Sequence, residues 1–319
     1  MTDIQASILK ITQALRENAG IPIEDWPSNI PFTPEDMGLV ESSAKFFLPE
    51  SIEFLVEELI EEELPGIKCQ LFEAVGSTNS EMLETASSTN IHDLLYLAEF
   101  QYSGRGRHGR SWYSPYGRNL SVSYGLETNL SHKSISCLSL VVGLAIANEL
   151  TSIGLEEVKI KWPNDIFVSN KKLAGILVEL VEKRSSRAIV IGFGLNLEIS
   201  PGERLKIEQP ITDLNTLGIN ISRNRLVSRL IRSIKFYIEQ YFNGGFGSIK
   251  HPFEKKLAFR GELCKLVSGD KILDEGTLVG INSLGEIEIK SGNVVNSYAV
   301  GEVSVKRSVS SRSGEQRAD

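Results

Sequence analysis

Cysteine is scarce: Cys69, Cys137 and Cys264 are the only three among 319 residues. They are odd in number, widely spaced and form no CxxC pair. That argues against a disulfide framework or a thiolate zinc site, and for reduced thiols in a reducing compartment. No stretch approaches the roughly eighteen consecutive apolar residues of a membrane span. The N-terminus, MTDIQASILKITQALREN, carries acidic and polar residues where a secretory signal needs a continuous apolar core. A cytoplasmic protein without membrane association is therefore expected. Basic residues do not dominate either. The net charge of -7 and pI near 5.4 argue against general nucleic-acid affinity, although they leave room for a local basic site. GxxxxGK followed by Ser or Thr occurs nowhere, so the chain is not a P-loop protein.

What is present is an ordinary globular composition, 41% apolar and 24% charged. At this length two or three domains are expected. Ile8, Ile11 and Leu15 recur at helical spacing, but the following GIPIEDWPSNIPFTPEDM holds four prolines that break any helix, and the paired helices of a DNA reader are not evident. PESIEFLVEELIEEE (49–63) has a cap signal and helical apolar spacing, which predicts an amphipathic helix with a solvated acidic face. KCQLFEAV, DLLYLAEFQ and NLSVSYGLE read as strands, with a helix opening at Ser77, Thr78 or Asn79 between the first two. Residues 134–152 are apolar nearly all round and predict a buried helix.

VKIKW, DIFVSN, KLAGILVELV and AIVIGFGLNLEI then follow as strands across short turns, and 223–243 returns to helix. Short β-type runs after HPFEKKLAFRG suggest a small barrel of about fifty residues. Strands joined by short turns favour an antiparallel or mixed sheet, so the fold class is α+β. The expected division is an N-terminal region over 1–65, helical in part, a central domain over 66–250, a β domain over 251–307 and a disordered tail over 308–319.

Three segments stand out chemically. GRGRHGR (104–110) joins flexible glycines to guanidinium groups, a combination suited to phosphate oxygens. It matches GxGxxG by letters alone, because no acidic residue ends a strand about twenty residues on. A solvated basic loop or a nucleic-acid contact is the plainer alternative. KWPND (161–165) makes a rigid polar corner whose Asn164 and Asp165 also suit an ordinary turn. Lys172 opens an apolar strand that Gly175 interrupts, as where a ligand approaches the backbone, or the lysine simply ends a strand.

In this order the segments resemble the signature of biotin protein ligases: STN at 77–79, Gln101 through GRGRHGR to Trp112, KWPND, KLAGIL at 172–177 and GFGLN ending at Asn196. The resemblance covers about 66–306 and implies a biotin/lipoate ligase-like catalytic domain followed by an SH3-like barrel. It implies an enzyme that converts biotin and ATP, with Mg²⁺, to biotinyl-5'-AMP. The biotinyl group then passes to one lysine of a biotin carboxyl carrier protein, such as that of acetyl-CoA carboxylase.

By that resemblance Ser77, Thr78, Asn79, Gln101, Gly104, Arg105, Gly106, Arg107, Lys172 and Gly175 serve biotin. Arg107, Trp112, Asn164, Asp165, Lys172 and Asn196 serve the nucleotide, with Trp112 against adenine unless it is a core aromatic. Arg105, Arg107, Lys172 and Asp165 carry the catalysis, Lys172 as the main electrostatic group and Asp165 helping to deprotonate the carrier lysine. No protein ligand for the metal is assigned. His108 stands where many relatives carry another basic residue; the plainer reading is that any polar residue suffices there. The proline-rich, acidic front argues for a ligase without the repressor function of bifunctional relatives, and so without DNA as a partner. A bifunctional repressor and a lipoate-type ligase are the alternatives, and a strand edge is available for a homodimer or for the carrier.

Overall fold

A computed structural model describes residues 3–48, 52–205, 207, 209–301 and 303–308. The expected tail beyond Ser308 lies outside the described residues.

The chain begins with α1 (Asp3–Arg16), whose Ile11 and Leu15 face inward as their spacing required. The proline-rich stretch carries no α-helix. It holds β1 (Ile21–Pro22), a 3₁₀ turn and then β2 (Val40–Ser42) and β3 (Lys45–Phe47), which form a three-stranded sheet in the order β1-β3-β2. This front module packs directly on the central region. Phe32 meets Phe100 edge-on at 4.9 Å and stacks on Tyr102 at 5.5 Å between ring centroids. Arg16 Nε donates to Glu73 Oε1 at 2.8 Å, and Tyr116 Oη donates to Glu73 Oε2 at 2.5 Å.

Of the helix predicted over 49–63, residues 49–51 lie outside the described residues, 52–56 carry no helix, and α2 spans Glu57–Glu63. Tertiary partners outbid the helical ladder here. The Leu55 amide donates to Glu99 Oε1 at 2.6 Å and the Val56 amide to Asn224 Oδ1 at 2.7 Å, while Leu55 is buried. The acidic face is also more than solvated. Glu61 accepts from the Cys69 amide at 2.7 Å and Glu57 from the Leu71 amide. Both satisfy N–H groups along a sheet edge that would otherwise lack protein partners.

That edge is β4 (Lys68–Val75), followed by α3 (Thr78–Ser88), β5 (Leu94–Gln101) and β6 (Asn119–Thr128). A single turn, α4 (His132–Ile135), precedes α5 (Leu138–Ser152), so the buried helix starts four residues later than the composition suggested. Next come β7 (Lys159–Lys161), β8 (Asp165–Val168), β9 (Lys171–Glu182) and β10 (Arg187–Asn196). Strands β8 and β9 are joined at Ser169-Asn170, both left-handed at φ 48° and 61°. A short α6 (Pro201–Arg204), the long α7 (Arg223–Gly244) and α8 (Gly247–Lys256) complete the central region.

The central sheet has the order β4-β5-β6-β10-β9-β8-β7, with β4–β5 parallel and every other pair antiparallel. The expected α+β class with a mixed sheet is what the chain adopts. Alternation divides its faces. On β10, Ile189, Ile191, Phe193 and Leu195 join the main core with α5 and α7. On the opposite face Ala188 and Val190 pack under α3, and Gly192, Gly194 and Asn196 follow toward the strand end.

The C-terminal segments form a five-stranded antiparallel sheet in the order β14-β13-β12-β11-β15: β11 (Leu263–Ser268), β12 (Lys271–Ile281), β13 (Ile287–Ser291), β14 (Val294–Tyr298) and β15 (Ser304–Arg307). This is consistent with the expected SH3-like barrel. Register shifts in β12 bend the sheet, as bulges do. It docks on the central region where Trp162 Nε1 donates to the Gly285 carbonyl at 3.3 Å.

Candidate active site

The face of the central sheet opposite the main core is stripped of bulk along three strands. Gly194 pairs with Gly175 on one side and Ser121 on the other; one row along, Gly192 pairs with Leu177 and Ser123. The glycines are required by contact rather than by backbone angle. A Cβ on Gly194 would lie 2.2 Å from Trp112 Cε2, and one on Gly192 would lie 2.1 Å from Asn79 Oδ1. On Gly175 it would meet Lys172 Nζ at 3.2 Å and Trp112 Cζ3 at 3.3 Å. Small residues here hold two large polar side chains close against the sheet, one at each end of a shallow trough.

At one end lies a buried amide–hydroxyl network. Ser77 is the N-cap of α3, yet its side chain makes no capping bond. The Thr78 amide instead donates to Gln101 Oε1 at 2.8 Å, and Gln101 Nε2 donates to Ser121 Oγ at 3.1 Å. Ser123 Oγ lies 2.8 Å from Thr78 Oγ1 and 2.5 Å from Asn79 Oδ1. Ser121 and Ser123 were not singled out from sequence, although their alternation in NLSVSYGLE already placed them on one face.

At the other end the charges gather. Lys172 Nζ sits 2.9 Å from Asp165 Oδ1 and 5.5 Å from the Trp112 ring centroid. Burial pushes the Lys161 ammonium below the ordinary lysine range; Asp165 opposes this, while Lys172, Arg110 and Lys306 add to it. Burial likewise lowers the Arg107 guanidinium, with Asp165 opposing and Arg110 reinforcing the shift. Several cations thus surround one carboxylate, an arrangement that favours an incoming polyanion. Lys161, Arg110 and Lys306 were missed from sequence as site residues. Lys306 comes from β15, so no local signal could have placed it there.

The GRGRHGR segment is an ordered hairpin loop. The Trp112 amide donates to the Gly104 carbonyl at 2.8 Å and the Gly106 amide to the Arg110 carbonyl at 2.7 Å. His108 sits at the tip with φ 57°, so backbone conformation as well as polarity selects the residue there. The two central arginines diverge. Arg105 pairs with Glu179 at 2.7 Å. Arg107 Nη1 donates to Asn164 Oδ1 at 3.1 Å, and Nη2 reaches the Gly301 carbonyl of the C-terminal domain.

Asn164 also donates through Nδ2 to the Ile176 carbonyl at 2.8 Å, fixing β8 to β9. Asn196 lies two residues beyond Gly194 on the same face, its Nδ2 donating to the Thr212 carbonyl at 3.0 Å, and the Thr212 amide donates to the Lys172 carbonyl. The indole Nε1 of Trp112 is buried against Gly194 without a hydrogen-bond partner among the described residues. Of the site residues expected from sequence, Thr78, Asn79 and Gln101 meet in the amide–hydroxyl network, Lys172 lies beside Asp165, Trp112 and Gly175, and Arg107 bonds Asn164. Among the described residues no cluster of His, Cys, Asp and Glu suits a bound metal ion.

The glycine-lined face thus carries neutral paired donors and acceptors at one end and converging cations at the other. Residues 71–196 match the biotin/lipoate A/B protein ligase family. The bifunctional ligase/repressor BirA of Escherichia coli is 33% identical over 303 residues, 95% of this chain and 89% of that protein. The biotin–[acetyl-CoA-carboxylase] ligase of Mycobacterium tuberculosis is 36% identical over 174 residues, 53% of this chain and 63% of that one. Among solved structures, the biotin protein ligase of Aquifex aeolicus in complex with biotin and ATP superposes with a TM-score of 0.63 at 27% identity, over 75% of this chain and 99% of that chain. The chain belongs to the biotin/lipoate protein ligase family.

Proposed function

We infer that the protein is an ATP-dependent biotin protein ligase, and the observation that carries this is the Lys172–Asp165 pair set among further cations beside the Trp112 shelf. The neutral ureido ring of biotin suits the Thr78–Asn79–Gln101 network, which offers donors and acceptors without charge. Its carboxylate then points along the trough to Lys172. Magnesium enters with ATP as part of the substrate.

The first step joins two anions, and uncompensated it would be slow. A carboxylate oxygen attacks the α-phosphorus, the bond to the β-phosphate oxygen breaks, and pyrophosphate leaves. Lys172, Arg107 and Lys161 supply positive charge where negative charge accumulates. In the second step the carrier lysine attacks the activated carbonyl, an amide forms and AMP departs. Asp165, held by Lys172 at the strand end, is placed to take the proton lost by that amine. Past Ile176, β9 runs on to Glu182 with β10 on one side and no β8 partner on the other. That free edge is where we place the carrier domain or a second copy of the chain. The cytoplasm is the assigned compartment.

A bifunctional repressor is the second reading, favoured by the span of the Escherichia coli relative, which reaches into the front of the chain. Against it, residues 1–48 hold seven acidic and three basic side chains. The single described α-helix of that region is packed on the central domain, and we assign no DNA partner. Biotin-dependent ATP–pyrophosphate exchange tests the main reading. Exchange should appear with biotin and not with lipoate, and Lys172→Ala should lower it about a hundred- to a thousandfold with the fold intact. Exchange only with lipoate, or full exchange in the variant, would overturn it. A biotin- and ATP-dependent mobility shift on operator DNA would restore the repressor.

A further inference from the structure

Arg105 is the first arginine of the loop, and on sequence grounds it belongs with the catalytic cations. The structure assigns its charge elsewhere. Glu179 lies on β9, two residues beyond Leu177 and four beyond Gly175, on the same face of the sheet. Its Oε1 accepts from Arg105 Nη2 at 2.7 Å and its Oε2 from Arg105 Nη1 at 3.3 Å, a two-point grip on the guanidinium. The same Oε2 accepts from Asn79 Nδ2 at 2.9 Å. Arg105 Nη1 also donates to Ser80 Oγ at 3.2 Å, on the first turn of α3.

These contacts have two consequences. The Asn79 amide is held in one orientation, its NH₂ toward Glu179 and the Leu177 carbonyl and its oxygen toward Ser123. The loop is tied down at one arm by an ion pair rather than by packing, since the Arg105 side chain is 41% exposed and that of Glu179 is 21%. Arg107, by contrast, meets only neutral partners within hydrogen-bond distance among the described residues, Asn164 and the Gly301 carbonyl.

We propose that Glu179 is a positioning residue for biotin: it latches the loop over the acid-binding trough through Arg105 and orients Asn79 with the same carboxylate. Resting on the ligase reading, this divides the two arginines by task. Arg105 closes the loop, and Arg107 faces the reacting anions. A half-exposed ion pair is weakened by salt, so the latch carries an ionic-strength signature that a purely packed loop lacks.

The test uses the full-length protein, with biotin-dependent pyrophosphate exchange in Glu179→Gln, Arg105→Gln and the double variant. Each single change should raise the biotin KM about five- to tenfold, with kcat at saturating biotin within about twofold. The double variant should be no worse than Glu179→Gln alone, because that change already removes the latch Arg105 serves. In the parent, biotin KM should rise between low and high salt, and in Glu179→Gln that rise should largely vanish. Arg105→Gln alters an exposed side chain, so it reports on the latch even if Glu179→Gln fails to fold. Unchanged biotin KM in Arg105→Gln, additive losses in the double variant, or an equal salt response in parent and Glu179→Gln would each refute the latch. Absence of exchange in the parent would instead strike the ligase reading itself.

Discussion

Replacing Gly194 by Ala is the sharpest probe of the trough. The new methyl would stand 2.2 Å from Cε2, 2.4 Å from Nε1 and 2.5 Å from Cζ2 of Trp112. Carbon contacts settle near 3.5–4.0 Å, so the indole must move by about 1 Å or more. Such overpacking typically costs about 1–3 kcal/mol. If that cost falls on nucleotide binding, the ATP KM rises about five- to a hundred-and-fortyfold. Gly192→Ala drives instead at Asn79 Oδ1 and should raise the biotin KM more than the ATP KM. Gly175→Ala meets Lys172 Nζ at 3.2 Å, a few tenths of an ångström too close, and should be the mildest of the three. Pyrophosphate exchange at varied biotin and varied ATP, with thermal melts to exclude unfolding, separates the cases. The reasoning is refuted if Gly194→Ala leaves the ATP KM within about twofold of the parent, or if it and Gly192→Ala affect both substrates alike.

The charges and the packing set further outcomes. Burial and neighbouring cations disfavour protonated Lys161, a cost to folding that is present at neutral pH and fades as pH climbs toward lysine's ordinary 10.5. Lys161→Met should therefore raise the ligand-free melting temperature while raising the ATP KM, and its stability advantage should shrink at alkaline pH; a lowered Tm at pH 7 would reject this account. Phe32→Ala removes the ring wedged against Phe100 and Tyr102 and should cost about 3 kcal/mol in urea unfolding. A loss below about 1 kcal/mol would mean that the front module does not rest on the central sheet. Glu57→Gln and Glu61→Gln should each cost about 1 kcal/mol, since each weakens a charge-assisted cap on the β4 edge. Unchanged stability in both would return those side chains to the role of a solvated face.

Where structure is local, the sequence was legible. Alternation in NLSVSYGLE and AIVIGFGLN places hydrophobic side chains on the core face and Ser121, Ser123, Gly192 and Gly194 on the other, because successive residues of a strand point oppositely whatever they pair with. The proline run likewise accounts for the lack of an α-helix between Ile21 and Leu48 in the described residues. Helical spacing misled over residues 52–56, because the acceptors that draw their backbone outward, Glu99 and Asn224, lie 44 and 168 residues away in the chain.

From the sequence alone come the strands, the glycine gaps and the set of cationic and amide side chains proposed for the chemistry. Their charges were visible, but their partners were not. Arg105 and Glu179 are separated by 74 residues, Arg107 and Gly301 by 194, and Lys306 enters from another sheet. Pairing of this kind depends on strand register and domain docking, which come from burying both sheets' apolar faces rather than from any short-range preference. Only the tertiary structure could decide that Arg105 is paired with a carboxylate while Arg107 bonds an amide and a backbone carbonyl.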